Sequence, residues 1–340
     1  MKTLLVDGDW NLKKNFHGRR GYNVNGNLCG GVFGFLNSLK HTADRLLPDR
    51  IIVMWDGENS GILRYEIYKP YKAKRKSKWR MEGLSKSEQY GKNEKIKEEF
   101  ELYKQRVSVQ SYLEDMFVRQ LEVENVEADD LIAQYVLTSD IPDEHIYIYS
   151  RDKDYQQLVS DNVSLLSPDN FEIITRSNFV EKFGYTVENA LLLKCFDGDS
   201  SDEIGGVLGI TPKRLLEEFP DIKYEKYMYN RLVEEAKEKR EKHKIKFYDK
   251  IIDAKEVLYR NAKLMDLHRP FITDEAKKEV DNMMHAPLEF RFRSVDTAVR
   301  DFMKDGFNQF IEAHLIMPFF STFYRMKSKE QEFAKINVVN

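Results

Sequence analysis

Three short apolar runs in this chain each lead to an aspartate. Thr3-Leu-Leu-Val6 runs into Asp7, Ile51-Ile-Val-Met-Trp55 into Asp56, and His145-Ile-Tyr-Ile-Tyr149 is followed closely by Asp152. Runs of this length, rich in β-branched and aromatic residues, read as strands. Helical spacing over 28–47, and again at Leu131, Ile132, Tyr135 and Val136, separates them. Strands alternating with helices predict a mostly parallel sheet flanked by helices, an α/β fold. Ligands of such sheets bind beyond the carboxyl ends of the strands. Asp7, Asp56 and Asp152 all stand there, which points to one shared site.

More acids join them. Glu127, Asp129 and Asp130 open the helix before the third strand, where the first turn tolerates negative charge. Asp154 follows Asp152, and Asp199 and Asp202 lie in a later glycine-rich stretch. Gathered carboxylates repel one another unless a cation sits among them. Hard oxygen ligands suit Mg²⁺ or Mn²⁺. The two isolated cysteines, Cys29 and Cys195, argue against a zinc site or a disulfide frame and for a reducing, cytoplasmic compartment. The spacing of Asp199 and Asp202 does not fit an EF-hand loop.

The net charge of −3 hides a strong local asymmetry. Residues 64–80 hold eight Lys or Arg against one Glu, with Tyr68, Tyr71 and Trp79 interleaved. Such cations neutralise phosphates while aromatic rings stack on bases. This basic run belongs to a polar insertion, 58–120, whose second half (94–114) reads as helix and which is expected to cross above the acids. Around Gly206 and Gly209 a glycine-rich turn feeds another helix, a place for a phosphate, with Lys213 in its first turn. Residues 163–174 read as two further short strands, 187–196 as a helix, 223–262 as Lys/Glu-rich solvated helices, and 286–325 as helices with an apolar packing face. No apolar run approaches the roughly 18 residues of a membrane helix, and the N-terminal apolar run is too short for a signal peptide.

The order and wording of these segments resemble the 5′-nuclease family: flap endonucleases, stand-alone bacteriophage 5′-3′ exonucleases and the N-terminal domain of bacterial DNA polymerase I. Leu4-Leu-Val-Asp7-Gly is similar to its first acidic motif, and Gly30-Gly-Val-Phe-Gly-Phe-Leu-Asn37 to the helix that follows. Leu63 to Arg75 resembles its arch entrance. Glu127-Ala-Asp129-Asp130, Ser150-Arg-Asp152-Lys-Asp154 and Gly198-Asp199-Ser-Ser-Asp202 resemble its later acidic motifs. Gly206-Val-Leu-Gly209-Ile-Thr-Pro-Lys213 resembles its helix-hairpin-helix turn. Arg151, Glu203, Gly205 and Thr211 depart from the usual pattern, and Asp9 and Asp197 are acids without family counterparts. The likeness is strong over about residues 1–219.

The resemblance implies a PIN-like mostly parallel sheet, with a nuclease core over 1–185 that includes the arch insertion 58–120. A helical part with a helix–three-turn–helix element would span 186–340. It implies two Mg²⁺, with Mn²⁺ able to substitute. Asp7, Asp56, Glu127 and Asp129 would serve the first ion, and Asp152, Asp154, Asp199 and Asp202 the second, with Asp130 completing the cluster. Lys72 and Arg75 would stand near the scissile phosphate, Arg64 and Lys69 would contact DNA, and Gly206, Gly209 and Lys213 would hold the duplex backbone. The implied activity is structure-selective 5′-3′ exonuclease and flap endonuclease action on 5′ ends, 5′ flaps and RNA primers during DNA replication. A monomer in the cytoplasm (the host's, for a phage protein) is expected, with replication proteins such as a single-stranded-DNA-binding protein as candidate partners. Two rival readings are a haloacid-dehalogenase-like phosphatase and a catalytically silent DNA-structure binder. The first meets Asp7-Gly-Asp9 but is disfavoured by Trp10, and the intact acid set weighs against the second.

Overall fold

The computed structural model describes residues 1–18, 21–73 and 86–338, apart from the side chains of 86–92 and 336–338. Arg75 and most of the basic run beyond Ala73 lie outside the described residues.

The chain opens with β1 (Lys2–Asp7), α1 (Gly8–Gly18), α2 (Gly30–Leu46), β2 (Arg50–Trp55), α3 (Ile62–Ile67) and α4 (Lys86–Asp115). It continues through β3 (Arg119–Glu122), α5 (Ala128–Thr138), β4 (His145–Tyr149), β5 (Val163–Leu166), β6 (Ile173–Ile174), α6 (Phe179–Phe183) and α7 (Ala190–Asp197). A small hairpin, β7 (Gly198–Asp199) and β8 (Ile204–Gly205), leads to α8 (Pro212–Glu218), α9 (Tyr229–His243), α10 (Lys246–Ile252), α11 (Lys255–Met265), α12 (Asp274–His285), α13 (Val295–Lys304) and α14 (Ala313–Val338).

The main sheet has the order β3-β2-β1-β4-β5-β6. Every neighbouring pair is parallel except β5–β6. β1 and β2 are buried on two faces, which is why they read as unbroken apolar runs. Leu4 and Val6 face one helical layer and Leu5 the other; Ile51, Val53 and Trp55 alternate with Ile52 and Met54 in the same way. The order places Asp7, Asp56 and Asp152 after three adjacent strands. The chain leaves β1 towards β2 and later returns to its other side with β4, so the acids cluster at the switch point, where such sheets leave a crevice.

β3 was not legible as a strand, because its sequence, Arg-Gln-Leu-Glu, is polar. Burial of Arg119 explains it. Its guanidinium makes a bidentate pair with Glu330 of α14 (2.9 and 2.7 Å) and donates to the Met283 and Ala286 carbonyls. This buried pair ties β3 to the C-terminal helix. The helical part expected over 186–340 packs in several places. Residues of α7 to α11 build their own core around Phe196, Phe219, Leu232 and Ile251. α12 lies with α5 against one sheet face, through Val280 and Met284. α13 and α14 lie with α2 against the other, where Phe302, Phe319, Phe320 and Phe323 interleave with Phe33 and Leu36.

Candidate active site

The acids are brought together by short, local means. Asp7 ends β1, and its Oδ1 accepts the Trp10 N–H at 2.9 Å. Asp56 Oδ1 accepts the Ala128 N–H (2.9 Å) at the start of α5, satisfying a donor that the helix leaves open. That bond ties the end of β2 to the helix carrying Glu127, Asp129 and Asp130. After β4, Asp152 caps a short 3₁₀ segment (Lys153–Leu158) by accepting the Asp154 N–H at 2.9 Å. Asp199 and Asp202 hang on the β7–β8 hairpin. Gly198 sits at φ +76 there, and a Cβ would lie 2.4 Å from the Gly206 nitrogen, so no other residue fits that turn.

Electrostatics divide the cluster. At its centre are Asp7, Asp129, Asp152 and Asp154. Burial, with the charges of Asp56, Asp152 and Asp9, pushes the Asp7 carboxyl up to about 7. Burial, with Asp152 and Asp7, pushes Asp129 well above the carboxylate range, although the Tyr155 hydroxyl donates to it. Burial and Asp152 push Asp154 up to about 7 against the pull of Lys194. At the flanks, protein cations bridge the acids. Arg64 donates to Glu127 (2.5 Å) and, through two N–H groups, to Asp130 (2.5 and 2.9 Å). Lys72 pairs with Glu127 and lies 3.7 Å from Asp202. Lys194 stands between Asp154 (2.5 Å) and Asp199 (2.7 Å). Despite burial, Lys72 and Arg64 hold Glu127 down at about 2, and Lys194 and Ser201 do the same for Asp199.

Several expectations change on this geometry. Arg64 is not a DNA contact. It is 6% exposed, and its guanidinium is spent on Glu127, Asp130 and the Leu264 carbonyl. Asp130 is fully buried, and its oxygens accept from Arg64 and from the Phe271 N–H (2.9 Å). Glu127 is likewise engaged, by Arg64, Lys72 and the Tyr71 hydroxyl. Both residues lie beside the central carboxylates as anchors for cations. Gly206 is glycine for packing, since a Cβ there would lie 2.3 Å from the Phe196 and Asp197 carbonyls. Gly209 (φ +81), Lys213 and Lys69 are exposed.

Other groups carried no clear signal in the sequence. Asp9, set aside for lack of a family counterpart, accepts the Asp56 N–H at 2.8 Å and lies 3.8 Å from Arg106. Arg106 also donates to the Asp56 carbonyl. Tyr71 reaches Glu127, Tyr155 reaches Asp129 and Lys194 reaches Asp154 only because separate segments fold together, which no local periodicity reveals.

Among the described residues, no group of three or more acids, histidines or cysteines is arranged as a ready-made ion site. Two observations nonetheless fit divalent ions. The donors are hard carboxylate oxygens whose mutual repulsion an ion would relieve. Asp154 Oδ1 is buried without a hydrogen bond, Lys194 facing it as a charge outside hydrogen-bond geometry.

A pH profile follows. The Asp7 and Asp154 carboxyls bind their protons more tightly folded than unfolded. Their stabilising contribution is therefore complete below the ordinary value of 3.8 and lost as pH rises through about 7. Glu127 and Asp199 act oppositely, contributing above the ordinary range and losing that contribution as pH falls through about 2. In EDTA, thermal stability is expected to fall by a few kcal/mol between about pH 5 and pH 8, and Mg²⁺ is expected to restore most of the loss at the higher pH. A flat profile in EDTA would contradict the crowding of acids described above.

Residues 2–184 match the sequence model of the 5′-3′ exonuclease N-terminal resolvase-like domain. The chain is 28% identical over 225 residues to the 5′-3′ exonuclease of Buchnera aphidicola subsp. Schizaphis graminum, covering 65% of this chain and 71% of that one. It is 29% identical over 222 residues to the thermostable DNA polymerase I of Thermus aquaticus, covering 64% of this chain but 24% of the polymerase. In three dimensions it is similar to T5 5′-exonuclease with divalent metal ions (zinc) bound, with a TM-score of 0.60 at 21% identity, covering 90% of this chain and all of that one. At that identity the structural likeness is one of fold. No helix among the described residues is long and apolar enough to cross a membrane.

Proposed function

The chain belongs to the 5′-3′ exonuclease family whose N-terminal resolvase-like domain its residues 2–184 match, and from that premise we propose that it is a metal-dependent, structure-selective 5′ nuclease. It hydrolyses phosphodiesters at free 5′ ends, at 5′ flaps and in RNA primers. The observation that carries this reading is the gathering of partly buried carboxylates beyond three adjacent parallel strands, where crowding raises the proton affinity of Asp7, Asp129 and Asp154.

Asp7, Asp129, Asp152 and Asp154 would hold two divalent ions, Mg²⁺ or Mn²⁺, with Asp56, Asp199 and Asp202 at their edges. When bound, the pair supplies an activated water and neutralises the charge that develops on the phosphate. The chain's own residues do the rest. Asp56 fixes the start of α5 and with it the placing of Asp129. Arg64 locks Glu127 and Asp130 so that the start of α5 cannot shift. Lys72, at φ +50, donates its backbone N–H to the Asp202 carbonyl and points its ammonium to the rim of the cluster, where a phosphate would meet it. Lys69 and Lys213 lie exposed to take phosphates without reading bases. Selectivity then rests on the shape of the 5′ end. Action in the cytoplasm as a monomer, with a replication protein such as a single-stranded-DNA-binding protein nearby, completes the reading.

The phosphatase alternative needs Asp9 as a free acid, and Asp9 is committed to the Asp56 backbone and faces Arg106. The deciding experiment offers a 5′-labelled flap duplex and its 3′-flap counterpart in Mg²⁺, in Mn²⁺ and in EDTA. Release of the 5′ arm alone, only with the ions, is expected. Hydrolysis of p-nitrophenyl phosphate without DNA cleavage, or equal cutting in EDTA, would overturn the proposal.

A further inference from the structure

The two halves of the acid cluster differ in their counter-charge. Around Asp7, Asp129 and Asp152 the contacts are neutral hydroxyls and backbone N–H groups: Tyr155 on Asp129, Trp10 and Ser150 on Asp7, Asp154 N–H on Asp152. Between Asp154 and Asp199 stands an ammonium. Lys194 projects from α7 and bridges a carboxylate of the 3₁₀ turn after β4 and one of the β7–β8 hairpin, at 2.5 and 2.7 Å. Its side chain is largely buried, at 16% exposure. An ammonium so placed occupies the space that a hard cation bound by the same oxygens would need, and two cations a few ångströms apart repel strongly in a partly buried site.

We propose that Lys194 is a built-in counter-ion of the ion-free protein, exchanged for a divalent cation at the Asp154–Asp199 pair. The inference rests on the metal-dependent reading above. Lys194 holds the hairpin against the 3₁₀ turn until an ion arrives. Its four-carbon stem then lets the ammonium swing aside, which the rigid fork of an arginine would do less readily. The arrangement keeps two distant chain segments together without an ion and makes that half of the cluster bind its ion more weakly than its carboxylates alone would. The exchange moves charge only, and no covalent bond changes.

Calorimetric titration of the metal-free full-length protein with Mn²⁺ tests this without reference to activity. In Lys194→Met, which keeps the apolar stem and removes the charge, the weaker binding step is expected to tighten by about tenfold or more. In Lys194→Arg it is expected to stay weak. Lys194→Met is also expected to melt lower than wild type in EDTA and to regain the difference in saturating Mn²⁺. The unaltered protein supplies a second measurement. Acylation of Lys194 by an amine-reactive reagent, read by mass spectrometry against exposed Lys213, is expected to rise several-fold when Mn²⁺ is added. Identical Mn²⁺ isotherms for wild type and Lys194→Met, or Lys194 labelling that falls or stays constant on adding the ion, would overturn the inference. If wild type binds Mn²⁺ and cleaves flaps while Lys194 proves indifferent, this inference fails alone. If wild type neither binds the ion nor cleaves, the nuclease reading falls with it.

Discussion

Replacing Asp129 by Asn is expected to lower flap cleavage by more than about a thousandfold, equivalent to roughly 4 kcal/mol of lost transition-state stabilisation, while making the ion-free protein more stable. Both effects have one cause. Asp129 is partly buried and faces Asp152, Asp7 and Asp154, all of which disfavour its charge. An amide of the same shape removes that repulsion and still accepts the Tyr155 hydroxyl, so the melting temperature in EDTA should rise. The same change deletes an anionic oxygen from the centre of the cluster, so the ion-dependent reaction should collapse. Single-turnover cleavage in Mg²⁺ and thermal melting in EDTA measure the two effects separately. A variant that cleaves within tenfold of wild type would remove Asp129 from the site. One that loses activity and also melts lower would show that the residue is structural instead.

The second large effect concerns stability. Arg64→Met should destabilise the protein by about 3–5 kcal/mol, because it leaves two buried carboxylates, Glu127 and Asp130, without the guanidinium between them. The Leu264 carbonyl also loses its donor, which loosens the packing of α11 on the core. Adding Asp130→Leu to Arg64→Met should recover part of the loss, since an apolar side chain needs no partner there. Urea denaturation of the two variants against wild type measures this. A loss below about 1 kcal/mol for the single variant would mean that the pair is solvated and that Arg64 is free for another role. DNA affinity gives an independent check. If Arg64 served phosphates, a properly folded Arg64→Met would show a smaller salt dependence of binding, whereas the buried pair leaves that slope unchanged.

Much of the scaffold could be read before any coordinates. β1, β2 and β4 announce themselves because parallel central strands are apolar on both faces, and α2 and α5 because their apolar positions recur at helical spacing. The aspartates that follow those strands could be read as one site for the same reason: position along a parallel strand fixes the end of the sheet at which a residue emerges. β3 escaped because its stabilisation comes from a partner 211 residues away, Glu330, and not from its own hydrophobicity. α3 escaped because six residues are too few to show a period.

The sequence by itself determined which residues are acids, that they gather at one end of a parallel sheet, and that their oxygens suit hard cations. Only the tertiary structure decided which of those acids are spoken for. Arg64 reaches Asp130 across 66 positions, Lys72 reaches Glu127 across 55, and Lys194 joins Asp154 to Asp199. A charge pair between distant segments leaves no local pattern, because Coulomb attraction depends on separation in space and on burial, neither of which composition or periodicity records. Glu127 and Asp130 therefore look like ligands in the sequence and are found paired with protein cations in the fold, while Asp7, Asp129 and Asp152 face one another.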